Sequence, residues 1–148
     1  MKALYRPKTN YILEASMEEL RQINLNWQSE VEFMEDEIRV FEDLIDRYFP
    51  KLTDLEHIEK VRQIVDKLIH LRNHALKNAK EKVFKHELHI EEVLSNKTAD
   101  EETFREEHNR LEDEISALRT NFINLKKELF TILDEVIKKD KQQHLLKD

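Results

Sequence analysis

The stretch MEELRQINLNWQSEVEFMEDEIRVFEDLIDRYFP, Met17–Pro50, decides the fold. Met17, Leu20, Asn24, Trp27, Val31, Met34, Ile38, Phe41, Ile45 and Tyr48 follow one another at alternating steps of three and four residues. That is the heptad seam of a helix packed lengthwise against other helices, and only Asn24 breaks it. Pro50 stops the pattern, because the residue before a proline is pushed out of the helical region. A first helix over about 14–48 follows from this stretch alone.

Beyond Pro50, Thr53 and Asp54 are both able to cap a second helix. Its apolar stripe is broad: Ile58, Val61, Ile64, Val65, Leu68, Ile69, Leu71, Ala75, Leu76, Ala79, Val83, His86, Ile90 and Val93. The rhythm drifts from heptad towards an eleven-residue repeat, which predicts a nearly straight helix over about 53–95. The run SNKTADEE is the next break. Thr98 and Glu101 have capping-box spacing there. A third helix, about 99–140, keeps a regular seam: Phe104, His108, Leu111, Ile115, Leu118, Phe122, Leu125, Leu129, Ile132 and Val136. The polar residues 141–148 are expected to be a tail, and residues 1–13 a separate basic segment.

Short connections make consecutive helices antiparallel neighbours, so the expected fold is all-α: a long up-down-up three-helix bundle forming one domain over 14–140. Composition agrees. The 148 residues contain no Gly, two Pro and no Cys, with 39% charged and 39% hydrophobic residues. Without Gly, neither the dinucleotide-binding nor the phosphate-loop motif can be written, since each needs close backbone approach. Without Cys, disulfides, zinc fingers and thiol catalysis are excluded. No apolar run reaches the roughly 18 residues of a membrane span, and no signal-peptide core develops near the N-terminus. A cytoplasmic protein without a membrane partner is the expectation.

The net charge of −7 argues against nucleic acid, which binds by displacing counterions with Lys and Arg. Arg72, Lys77, Lys80, Lys82 and Lys85 form the only basic cluster, and Glu81 and Glu87 interrupt it, so a solvated helix face is the simpler reading. Charge is unevenly spread: residues 14–48 carry 11 acidic and 3 basic side chains, residues 51–97 carry 8 and 10. These two helices are therefore complementary neighbours. Arg72, at the edge of its stripe, is expected to reach an acid on the first helix.

Two features carry candidate function. The first is a surplus of apolar residues off the seams: Phe33, Val40 and Leu44 on the first helix, and Ile123, Phe130, Leu133 and Ile137 on the third. Three helices have one interior, so the extra stripes must either widen the core at that end or meet a partner, most economically a second copy in a homodimer or higher oligomer. The second feature is histidine. If the second turn is centred near residue 97, His86 and His108 face one another, and the same arithmetic on the first turn brings Met17 and Glu18 to their layer. Glu112, one helical turn beyond His108, makes His86, His108 and Glu112 a conceivable metal-ligand set. Glu-x-x-His, the signature of di-iron bundles, never occurs. His70 and His74 are four apart but share a polar face with Asp66, Lys67 and Lys77. The simpler expectation is that His86 and His108 are polar core positions that fix register, as a core Asn such as Asn24 does. No nucleophile or acid–base pair stands out, and no cofactor is called for. A non-enzymatic helical scaffold acting through protein contacts is the expected function, with the His-centred metal site as the alternative.

Overall fold

The computed structural model describes residues 14–95 and 100–147, and none of these lies in a strand. Helix α1 spans Met17–Tyr48. It begins where Ser16 and Glu19 cap each other: the Glu19 amide donates to Ser16 Oγ at 3.1 Å, and the Ser16 amide donates to Glu19 Oε1 at 3.1 Å. A single 3-10 turn, Phe49–Lys51, carries Pro50 in its first positions and ends α1. Helix α2, Leu55–Leu71, starts on Asp54, whose Oδ1 accepts from the Glu56 amide at 2.9 Å. A π turn, Arg72–Leu76, leads without a break into α3, Lys77–Ser95. Helix α4 spans Glu101–Lys147.

The π turn corrects the expectation of a gradual drift along the second helix. Its buried residues are Val61, Ile64, Leu68, Leu71, Leu76, Ala79, Val83, His86 and Ile90. Every step is three or four except one, the step of five from Leu71 to Leu76. A single extra residue would rotate everything after it by about 100° in an α-helix. One wider turn absorbs that residue and returns the stripe to the core side. Ala75, counted on the stripe from sequence, is the displaced residue and is exposed.

Contacts divide the chain into two units. The first draws on α1 up to Phe33 and on Leu76–Leu118; the second draws on Met34–Ala75 and on α4 from Arg119. Within the first, Arg21 pairs with Glu87 and Asn24 with Val83, so α1 and α3 are antiparallel. Lys82 pairs with Glu114 and His86 with His108, so α3 and α4 are antiparallel as well. Within the second, His57 pairs with Glu135 and Lys67 with Glu128 between α2 and α4, while Glu37 pairs with Lys126 and Phe41 packs on Phe130 between α1 and α4. Each unit is thus an up-down-up set of three helical segments.

The first unit buries Leu20, Trp27, Val31, Ile90, Phe104 and Ile115. The second buries Ile38, Phe41, Leu68, Phe122 and Leu129. At roughly 1.5–3 kcal/mol for each large apolar side chain removed from water, these seams hold the helices together. Surface ion pairs add little to that.

Other expectations shift in detail. The tail expected from residue 141 instead continues α4 to Lys147, because KKDKQQHLLK contains no Gly or Pro and is rich in good helix formers. Asp100 caps α4: its Oδ1 accepts from the amides of Glu102 and Thr103 at 3.0 and 3.3 Å. Thr98, the cap read from sequence, lies outside the described residues, as does the N-terminal segment 1–13. Among the described residues no helix is long and apolar enough to cross a membrane.

Candidate functional site

The first unit contains a polar layer in an otherwise apolar core. Asn24, His86 and His108 are each fully buried. Seam spacing brings them inside: His86 sits between Val83 and Ile90 on α3, and His108 between Phe104 and Leu111 on α4. The pairing arithmetic about residue 97 holds for them, with His86 Nε2 and His108 Nδ1 2.8 Å apart. The arithmetic for the first turn does not hold. Asn24 and Trp27, not Met17 and Glu18, meet this layer: the Arg21–Glu87 and Asn24–Val83 pairs set the register of α1 a little over one helical turn from that expectation, and the residue inserted in the π turn accounts for only part of it, since it raises every later number by one. Asn24 Nδ2 donates to the Val83 carbonyl at 3.1 Å, and the Trp27 ring stacks on His108 with centroids 4.6 Å apart. Phe104 stacks on His86 at 4.3 Å.

The carboxylate in the layer is Glu107, not Glu112. His86 Nδ1 lies 2.6 Å from Glu107 Oε1, and His89 Nδ1 lies 3.5 Å from the same oxygen. Glu107 is half exposed, so the chain Glu107–His86–His108 runs from the surface into the core. Acceptors and donors fix its hydrogens. The carboxylate accepts, so His86 Nδ1 carries a hydrogen. In a neutral ring His86 Nε2 is then bare and accepts from His108 Nδ1–H. His108 Nε2 is left bare, buried and without a hydrogen-bond partner among the described residues.

Burial is the main force on both rings, because a charged imidazole loses its hydration there. It pushes His86 down, against the hydrogen bond and charge of Glu107, which pull it up. It pushes His108 further, to about 3, helped by repulsion from His86 and Arg105. Both rings are therefore neutral at pH 7. Among the described residues no group of three or more His, Cys, Asp or Glu side chains is placed to hold a metal ion. Both nitrogens of His86 are already engaged. His70 and His74 have ring centroids 4.4 Å apart on an exposed face.

The surplus apolar stripe is only partly where the sequence places it. Phe33 and Val40, one heptad apart on α1, are 62% and 55% exposed, and on α4 Ile123 and Phe130, also one heptad apart, are 44% and 45% exposed. Leu44 and Ile137 are half-buried. Leu133 is buried and belongs to the core of the second unit, because it leans inward beside Ile132. In that unit Val40 and Leu44 flank α1 on the side of the Glu37–Lys126 ion pair, which is 2.8 Å long. Phe130 meets Phe41 edge-on at 5.5 Å, so both stripes border one groove between α1 and α4. Arg72 reaches Glu42 on α1, as expected. Lys82 in the basic cluster is held by Glu114 of α4.

No protein-family model, no curated protein sequence and no solved structure matches the chain.

Proposed function

We propose that the chain is a non-enzymatic helical scaffold that acts through protein–protein contacts and self-associates through the α1–α4 face of its second unit. The observation that supports this most is the exposure of Val40, Ile123 and Phe130 beside a seam that is already filled by Ile38, Phe41, Phe122 and Leu129. Much of their surface stays outside the interior of their own unit, even where Phe130 touches Phe41. Covered by a partner they resemble the core of a dimer interface, apolar and aromatic.

A second copy is the most economical partner, since soluble oligomers are most often twofold dimers. A twofold axis parallel to the helices lays the α1 stripe of one copy on the α4 stripe of the other. A cytoplasmic setting fits a cysteine-free chain. Light scattering on the purified chain tests the proposal. A mass near twice 18.0 kDa is expected, falling to 18.0 kDa in the variant Val40→Asp/Phe130→Asp with helical content retained. A wild-type monomer at about 100 μM, a concentration at which even a weak dimer of Kd near 10 μM is mostly formed, would rule it out.

A further inference from the structure

We infer that Glu107, His86 and His108 form an acid-operated latch: the chain holds α3 against α4 in the first unit while both rings are neutral, and a second proton entering the layer opens that contact. The geometry sets a capacity of one. With both rings neutral, three side chains line up donor to acceptor over 2.6 and 2.8 Å. A first proton binds at His108 Nε2, the bare nitrogen. It passes its charge outward, towards Glu107, when the Nδ1 hydrogen of His108 shifts to His86 Nε2. His86 is then an imidazolium between Glu107 and His108, with its charge offset by the carboxylate. A second proton has no such place. It turns both rings into cations whose N–H groups point at each other across 2.8 Å, and the bond becomes a clash of donors.

Every helix packed on the layer contributes charges to this balance. From α3 come Glu87, which favours a proton on His86, and His89, which opposes one. From α4 come Glu107, in favour, and Arg105, opposed. From α1 come Arg21, held by Glu87 at 3.1 Å, and the neutral side chains Asn24 and Trp27. The anion nearest the rings touches His86, and among the described residues no acid lowers the cost of a charge on His108. Trp27 and Phe104 close the faces of the two rings and keep water from compensating the charge.

The sign of the response follows. The unfolded chain binds a proton on each histidine near pH 6.5, whereas folded His108 resists until about 3, so stability falls as pH drops below 6.5. For His108 alone, the unfolding constant rises about 30-fold between neutral pH and pH 5, and His86 acts in the same direction. The capping carboxylates Asp54 and Asp100 are held below their ordinary range, the first by the Glu56 amide and the second by Thr103. Their contribution is lost only at lower pH, outside this window.

Urea unfolding at pH 7.5 and pH 5 tests the latch. The wild type is expected to show at least the 30-fold rise, and the variant His86→Leu/His108→Leu to lose it. An equal rise in both would overturn the inference. Should that variant fail to fold, nitrogen-15 spectra of the wild-type imidazoles decide. Two neutral rings with hydrogen on Nδ1 at pH 7, with His108 unchanged down to pH 5.5, are expected. Either ring charged at pH 7, or titrating near 6.5 like a free histidine, would overturn it.

Discussion

Replacing Asn24 by Leu should stabilise the protein, although it deletes a hydrogen bond. Asn24 is fully buried, and its Oδ1 has no partner among the described residues. An orphaned buried acceptor costs about 1–3 kcal/mol, and the substitution removes it. The bond from Nδ2 to the Val83 carbonyl contributes about 0.5–1.5 kcal/mol, which is lost. Val83 lies within α3, so its carbonyl keeps the helical bond from four residues ahead and is not orphaned in turn. Leu has the same side-chain connectivity as Asn, with two methyl groups in place of oxygen and nitrogen, and burying them contributes roughly 0.8 kcal/mol per carbon. The expected net gain is about 1–3 kcal/mol after some loss to tighter packing. At about 2–4 °C per kcal/mol for a chain of this size, a rise in Tm of several degrees should be visible by circular dichroism. Asn24→Asp is the matched control, expected to lose about 3 kcal/mol or more, since it buries a charge beside unpaired groups. A Leu variant less stable than wild type would refute the reasoning: the amide would then be satisfied, and Asn24 would be a stabilising contact instead of a device that sets register at a cost.

Three further outcomes can be checked by the same assays. Leu129→Ala, at a fully buried seam position of the second unit, should cost about 2–5 kcal/mol in urea unfolding. Deleting Ala75 should leave helicity intact and change stability by about 1 kcal/mol or less, because it leaves Leu71 and Leu76 at the ordinary step of four. Inserting one alanine after Phe84 should be far worse, on the order of 3–6 kcal/mol, because it turns His86 and Ile90 away from the core.

The helices were legible because burial here has one rule. Each seam position from Leu20 to Ile45 and from Phe104 to Val136 is buried, and periodicity alone identifies them. The cap of α1 is also legible, since Ser16 and Glu19 have capping-box spacing. The π turn was harder. A step of five looks like noise until each flanking stripe is known to face the same way. In the polar layer, sequence brought His86 and His108 together because an antiparallel hairpin with a short turn fixes its own register. It chose Glu112 as the carboxylate by counting one helical turn from His108. Glu107 answers instead to His86 across the gap between helices, and no spacing along one helix reports that. The stripe failed at Leu133 for a similar reason: one step off the seam can be inside or outside, and only packing decides which.

Among the described residues none has a positive φ. A chain without Gly has no backbone position from which a β-carbon is barred, and this changes how it should tolerate mutation. Most folds respond to random substitution in two superimposed ways, one set by side-chain burial and one by turns that accept only a single residue type. Here the second is silent over the described segments. A saturation scan should show sensitivity rising and falling with a seven-residue beat, skipping one residue between Leu71 and Leu76, with proline as the only amino acid harmful nearly everywhere. Drift could rewrite nearly all of the outward surface while the inward beat kept the fold.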